Sequence, residues 1–315
     1  MKRALITGAA GFVGANLARH LLASGNKVHI ICRPDSDFWR LDDVRNDLQT
    51  HDISLSDAEA LQVCVKKINP DWIFHLAAHG AYSWQNDIER VMSTNVVGTA
   101  NLLSACVKTN CEAFIAAGSS SEYGYKDHAP AEDERVDPNS EYAIAKAAAT
   151  HFCKLYAQKY GVPTAVLRLY SVYGSYEDKD RLIPTIIANG LQGKFPPLVD
   201  PEIARDFIYI EDTISAFIAA ATKEIKPGSV YNVGTGKQTT LRDVVSTARE
   251  IFDIKQQPQW GSMPNRKWDT SVWVANNEKL CRELSWQPKY SFKEGLAKTI
   301  KWYQQQAERP VIKSH

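Results

Sequence analysis

The sequence predicts an α/β protein: a Rossmann-type, doubly wound parallel sheet with a smaller α/β C-terminal lobe. Three observations predict it. Short apolar runs alternate with helical periodicities through the first half of the chain. Those runs are apolar along their whole length rather than at every second residue, as strands buried on both faces require. The first run ends in the glycine turn GAAGFVG, residues 8–14, which leads straight into a helix.

The elements follow in order. Residues 4–7 form the first strand. Residues 12–24 carry helical periodicity and stop at Gly25. Strands follow over 28–32 and 48–52. Residues 57–69 form a helix, with Ser56 as its N-cap and Pro70 as its stop. A strand over 72–76, a long helix over 88–109, a strand over 113–117, a helix over 139–160 and a strand over 164–169 complete the alternation. After Tyr170 the segments shorten, and Pro, Gly and Trp become frequent. Residues 205–210 and 230–233 read as returning strands, 241–252 and 292–305 as helices. The expected division is a sheet domain of residues 1–169 plus about 203–235, and a lobe of 170–202 and 236–315.

Composition narrows the function. The 315 residues are 44% hydrophobic, enough for a large core, and carry a formal net charge of +1. Lys and Arg are scattered, so nothing steers the chain to nucleic acid or an anionic membrane surface. No apolar run approaches the roughly 20 residues of a membrane span. The N-terminus enters a strand at once, and a soluble, cytoplasmic protein is expected. The six cysteines (Cys32, Cys64, Cys106, Cys111, Cys153 and Cys281) form no CxxC and sit mostly in apolar patterns. They read as small hydrophobes, with neither disulfide nor metal site expected.

The glycine turn has a specific physical use. Gly8 takes the tight turn, Gly11 lets a pyrophosphate approach the backbone, and Gly14 lets helix and strand pack closely. Phe12 and Val13 then offer free N–H groups at the helix N-terminus to an anion. A strand, this turn and a helix in that order predict a dinucleotide site. Sites for NAD usually close the second strand with an acid that accepts from the ribose 2′-OH. Here Cys32 occupies that place and Arg33 follows. A guanidinium grips a 2′-phosphate, so NADP(H) is favoured, with NAD(H) possible. In the plainer reading Arg33 is a solvated loop residue and Asp35 or Asp37 meets the ribose. Asp52 and Ile53 are expected beside the adenine.

The segment EYAIAK places Tyr142 and Lys146 one helical turn apart on a shared face. An ammonium there lowers the phenol pKa, and such a tyrosine gives or takes a proton at a substrate oxygen. Upstream, AFIAAGSSSEYG runs an apolar strand into serines at the carboxyl edge of the sheet, where open α/β sheets bind ligands. A serine there can hydrogen-bond the same oxygen. The alternative is a hydroxyl-rich turn that only caps strand ends.

Taken together, TGAAGFVG, HDI at 51–53, FHLAA at 74–78, STN at 93–95, GSSSEYG, YAIAK, LRLYSVYG at 167–174, RDFIYIED at 205–212 and YNVGTG at 231–236 carry a resemblance nearly end to end. The chain resembles the extended short-chain dehydrogenase/reductase family, in its nucleotide-sugar branch. The resemblance implies a Rossmann domain and a C-terminal lobe for a nucleotide-diphosphate sugar. By position it makes Tyr142 the acid/base and gives Lys146 the nicotinamide ribose. Leu76, Ala77, Ala78 and Asn95 line the cofactor. Ser119 is the catalytic hydroxyl, with Ser120 a competitor if the loop is one residue shorter. Arg205 and Arg266 clasp the substrate diphosphate, and Asp269 reaches the nucleotide ribose. Ser171 stands where relatives often have Asn. The helices over 88–109 and 139–160 carry apolar residues on more than one face, so Val97, Leu103, Phe152 and Leu155 either pack in the core or build a two-fold four-helix homodimer interface, which the resemblance also implies.

Three activities use such a scaffold. A 4,6-dehydratase needs acids directly after the catalytic hydroxyl, where this chain has Ser120 and Ser121, and Glu122 serves only if the loop is shifted. A 4-epimerase keeps NAD tightly bound. A 4-ketoreductase needs only Ser, Tyr, Lys and reduced NADP, and is the expected activity. A non-catalytic NADP sensor is the alternative outside enzymology, and the intact Ser–Tyr–Lys set argues against it.

Overall fold

Seven strands lie side by side in one parallel sheet, which carries side chains to two separate cores on its two faces. The computed structural model describes residues 1–82, 84–264 and 270–307. In chain order the elements are β1 (Arg3–Thr7), α1 (Phe12–Ala23), β2 (Lys27–Cys32), β3 (Leu48–Asp52), α2 (Ala58–Ile68), β4 (Trp72–His75), α3 (Ile88–Met92), α4 (Gly98–Cys106), β5 (Ala113–Ser119), α5 (Glu141–Tyr160) and β6 (Thr164–Leu169). There follow β7 (Ser171–Tyr173), α6 (Leu182–Gly190), β8 (Ala204–Arg205), β9 (Phe207–Tyr209), α7 (Ile210–Thr222), β10 (Ser229–Val233), β11 (Thr239–Thr240), α8 (Leu241–Phe252), α9 (Glu278–Leu284) and α10 (Phe292–Ala307).

The sheet order is β10-β6-β5-β4-β1-β2-β3. The apolar strands explain the layering. Ala4, Ile6, Val28, Ile30, Phe74 and Ile115 enter one core with α1 and α7. Their neighbours Leu5, Ile31, Ile73 and Phe114 enter the other with α2 and α4. The order reverses between β1 and β4, so the crevice that open α/β sheets use for ligands lies at the carboxyl ends of these two strands.

The C-terminal elements build on the first core. β7 pairs with β9 in parallel, and β8 with β11 antiparallel, so none of these strands joins the large sheet. Helices α6, α8 and α10 pack on one another. The single strand expected over 205–210 is thus broken in two at Asp206. This carboxylate is fully buried and collects the N–H groups of Thr235, Gly236 and Ala275 and the Thr235 hydroxyl at 2.7–3.1 Å. A buried carboxylate must find donors, and the chain turns here to supply them.

The long helix expected over 88–109 is also interrupted. Residues Ser93–Val97 make a π turn between α3 and α4, and α4 ends at Cys106. Such bulges rotate one side chain out of helical phase. Here it is Asn95, whose amide accepts from the His79 N–H at 2.9 Å and donates to the His79 carbonyl at 2.7 Å. Helix α2 starts one residue later than expected. Its cap is Asp57, which accepts from the Ala60 N–H at 3.0 Å, while Ser56 bonds Ser54 instead. Of the candidate interface residues, Leu103 lies in the core and Phe152 packs half-buried against it, whereas Val97 and Leu155 are exposed. The six cysteines are free thiols. No described helix is long and apolar enough to cross a membrane.

Gly14 sits where α1 crosses β1, and a Cβ there would overlap the Gly8 carbonyl oxygen. Gly14→Ala is expected to cost about 2 kcal/mol or more. A urea melt checks this through a lower midpoint at unchanged slope, and an unchanged midpoint would contradict the close approach.

Candidate active site

The crevice begins at Gly8, which holds φ +74° and leaves no room for a side chain. A Cβ there would stand 2.5 Å from the Ala77 nitrogen, because the turns after β1 and β4 touch. Gly11 differs: a Cβ on it would meet only the Gly8 oxygen, at 3.2 Å, and the residue is exposed. Helix α1 starts here with no side-chain cap and no acid in its first turn. The N–H groups at Phe12 and Val13 therefore face outward beside a surface of bare backbone, an arrangement that fits a pyrophosphate.

Around this crevice the strand ends present the remaining residues. At β2, Cys32 is buried and its thiol lies 3.4 Å from an Asp52 carboxylate oxygen. Burial, and after it that carboxylate, pushes the thiol up to about 12. Arg33 is exposed and pairs with Asp35 at 2.9 Å, and Asp35 also lies 3.9 Å from Arg90. Asp52 is exposed and Ile53 half-buried at the end of β3. After β4, the Leu76 N–H donates to the Thr7 carbonyl at 3.0 Å and the Ala77 N–H to the Thr7 hydroxyl at 3.4 Å, while Ala78 is exposed. His75 bridges the Thr7 and Thr99 hydroxyls at 2.7 and 2.8 Å. Burial pulls its pKa down to about 3, so it is a neutral interior hydrogen-bonder.

Across the crevice stand β5 and α5. Ser119 ends β5, and its hydroxyl caps the short turn Ser120–Tyr123 through the Ser121 N–H at 3.2 Å. The same hydroxyl lies 2.7 Å from the Ser121 hydroxyl and close enough to the Tyr142 phenol to act on it. Ser120 points elsewhere: it is buried and accepts from the Trp273 indole at 3.1 Å. Of the two serines, then, only Ser119 adjoins Tyr142. Glu122 is fully buried between the Ser119 N–H, Thr150 and Arg168, each at 2.9 Å. Lys146 lies one turn beyond Tyr142, with its Nζ 5.9 Å from the phenol ring centre, and donates to the Ala117 carbonyl at 2.9 Å.

That arrangement corrects the electrostatic expectation. A lowered phenol pKa was expected from Lys146. Burial instead pushes Tyr142 up to about 12, with the nearby Ser119 hydroxyl and the Arg181 charge opposing it. Burial also pulls Lys146 down to about 8, opposed by Glu122. The ammonium is turned to the backbone and the interior dominates both groups.

The residues expected on the substrate side are less gathered. Ser171 is half-buried in β7, its N–H bonded to the Asp206 carbonyl at 3.0 Å. Arg205 donates to the Ala204 carbonyl at 2.7 Å and lies 5.5 Å from the centre of the Trp273 ring. Arg266 and Asp269 lie outside the described residues. One cation escaped the sequence reading. Arg181, preceding α6, sits 5.0 Å above the Tyr82 ring, close enough to act on Tyr142. Nothing in its sequence setting separates it from a solvated arginine; only the fold brings it here. Tyr82 in turn stacks on Trp84 at 4.5 Å. Among the described residues, no three His, Cys, Asp or Glu side chains converge as a metal site requires.

The family whose sequence model matches, over residues 4–234, is described as the NAD dependent epimerase/dehydratase family. Among curated relatives, dTDP-glucose 4,6-dehydratase 1 of Escherichia coli (strain K12) is 27% identical over 348 aligned positions, covering 95% of this chain and 92% of its own length. UDP-glucose 4-epimerase of Thermotoga maritima, solved with UDP-glucose, superposes with a TM-score of 0.88 at 27% identity, over 97% of this chain and 100% of that one. UDP-glucuronic acid 4-epimerase of Bacillus cereus, solved with UDP-glucuronic acid and NAD, gives 0.85 at 27% identity, over 96% and 99%.

The depressed Lys146 has a consequence for stability. Its folded value of about 8 lies below the ordinary 10.5, so the folded chain sheds this proton first. Its contribution therefore rises with pH between those two values, where the unfolded chain still holds the proton. Lys146→Met is expected to stabilise the protein by about 2 kcal/mol at pH 7 and to flatten that rise. Urea melts at pH 7 and pH 10 check both effects; a variant less stable than the parent at pH 7 would contradict them.

Proposed function

The chain belongs to the NAD dependent epimerase/dehydratase family, and on that premise we propose that it reduces the C4 keto group of a nucleoside-diphosphate 4-keto-6-deoxyhexose or dideoxyhexose with NADPH. The observation that carries this reading is the Tyr142 phenol, adjoining Ser119 and followed one turn on by Lys146, at the rim of an uncapped glycine turn.

NADPH, when bound, supplies the hydride. Gly8, Gly11, Phe12, Val13 and Gly14 would hold its pyrophosphate, and Asp52 and Ile53 its adenine. Leu76, Ala77, Ala78 and Asn95 would line the rest, with Lys146 on the nicotinamide ribose. Ser119 and Tyr142 both donate to the C4 oxygen, and Tyr142 gives up its proton as charge develops there. Donors held ready in this way contribute about 3 kcal/mol each. A phenol raised to about 12 stays protonated at neutral pH, which suits a proton donor in the reductive direction. Ser120 and Ser121 supply no acid for a dehydration, and Glu122 is enclosed by its own partners. Arg205 and Arg266 would clasp the diphosphate, with Ser171 and Asp269 on the sugar and nucleotide. Residues 170–202 and 236–315 would form that lobe.

Arg33 supports NADP(H). Its pair with Asp35 is an exposed one, worth about 0–1 kcal/mol, so a phosphate dianion displaces it easily. The neighbouring Arg90 already draws an anion to the same spot. A second reading, 4-epimerisation with retained NAD, is favoured by the likeness to the two 4-epimerases. The exposed Val97 and Leu155 on packed helices support a homodimer.

Tyr142→Phe is expected to keep dinucleotide affinity and to lose about three orders of magnitude in turnover, followed as NADPH consumption with a dTDP-4-keto-6-deoxyhexose, its GDP and its CDP counterparts. Near-parental turnover would remove Tyr142 from the reaction. Interconversion of two sugars at constant NADPH absorbance would favour the epimerase. Arg33→Ser is expected to weaken NADPH binding about tenfold while leaving NADH unchanged, measured by cofactor fluorescence; equal effects on both would remove the 2′-phosphate contact. Light scattering is expected to give twice the chain mass, and Leu155→Glu the monomer; a monomeric parent would refute the dimer.

A further inference from the structure

We propose that Glu122, sealed beneath the Ser119–Tyr142 pair, is a positioning residue that serves as the fixed counter-charge of Lys146. The inference rests on the reading of Lys146 as the group that meets the nicotinamide ribose.

Three contacts tie Glu122 to the site. One carboxylate oxygen accepts the Ser119 N–H at 2.9 Å, fixing the backbone that carries the Ser119 hydroxyl. The other accepts the Thr150 hydroxyl at 2.9 Å. Tyr142, Lys146 and Thr150 follow one another at steps of four along α5, so they share one face of the helix. The bond to Thr150 therefore anchors the face that presents Tyr142 and Lys146. The third partner, Arg168 on β6, donates its Nε to the same oxygen at 2.9 Å. Both members of this ion pair are almost entirely buried, with side-chain exposures of 3% and 0%. The fold makes room for it at Gly118, where a Cβ would stand 2.8 Å from Glu122 and 3.2 Å from Arg168.

A carboxylate enclosed in this way has no water to screen it. The titratable groups that interact with Lys146 are Tyr142 and Cys153 on its own helix, Glu122 on the turn after β5, which is bonded to Thr150 one turn beyond, and His75 on β4. Of these, His75 is neutral, and the Tyr142 phenol and Cys153 thiol are both held protonated by burial. Glu122 is the anion among them. Its field opposes the loss of charge that burial imposes on Lys146. Its partner Arg168 also donates to the Glu132 carbonyl at 3.3 Å and stacks 4.4 Å from the Tyr123 ring centre.

The test is the pH dependence of NADPH affinity, read by cofactor fluorescence on the full chain. Parental affinity is expected to fall on the alkaline side as Lys146 loses its proton, and Lys146→Met to abolish that fall. Glu122→Gln keeps the shape and removes the charge, so the fall moves to lower pH. Because this variant leaves Arg168 without its anion, the double variant Glu122→Gln with Arg168→Met removes both charges, and urea melts report whether each is folded. A fall that remains at lower pH than the parent's in the double variant supports the counter-charge. An unmoved midpoint in Glu122→Gln, or a full return to the parental midpoint in the double variant, overturns it. A parent that binds no NADPH and no NADH overturns the reading of the site itself, and this inference with it.

Discussion

No residue with a β-carbon fits at position 8, and the crevice follows from that. The turn after β1 presses directly on the backbone of Leu76 and Ala77, so the carboxyl ends of the two strands at the reversal of sheet order are in contact. Once they touch, α1 must start immediately beyond, uncapped, with its N–H groups turned to the opening. The loop after β4 must also cross in front of it. Asn95 then holds that loop by both backbone groups of His79, and the π turn exists to bring it there. One steric constraint thus dictates where an anion can sit and which segments line the space around it.

Charge is arranged differently from shape. Tyr142 and Lys146 are each pushed toward the neutral form by burial, at a cost to folding that a purely structural helix face would not carry. Groups perturbed by desolvation at the mouth of a ligand crevice are the physical mark of a reactive site. In the reaction proposed for this site, a sugar oxygen takes up a proton. A phenol that holds its proton near neutral pH, beside a lysine that releases one with modest ease, is matched to that transfer.

Much of this was legible in the residues themselves. Uninterrupted apolar strands announced two cores, and Ala4, Leu5 and Ile6 do alternate between them. The glycine turn announced its own helix, and the four-residue step from Tyr142 to Lys146 its shared face. What was not legible depends on groups distant in the chain. Asp206 breaks a strand because its donors lie at 235, 236 and 275. Ser119 and Ser120 are equivalent in sequence, and only the twist of the turn gives one to Tyr142 and the other to Trp273. Arg181 joins the site through tertiary folding alone. The reversed sign at Tyr142 has the same origin, since depth of burial is not written in the spacing of two residues.

Asp206 also bears on how such a scaffold can be re-tooled. Its oxygens are saturated by main-chain groups from two stretches far downstream, and Gly234 is bare because a Cβ there would collide with that carboxylate. The segments around 171–209, 234–240 and 275 are thereby stitched into one unit, although they are discontinuous along the chain. Recombination with a distant homologue that exchanges a single stretch strands an anion in the interior. Exchange of all the stretches together carries the stitching intact, so specificity on this scaffold travels as a set of pieces and not as a loop.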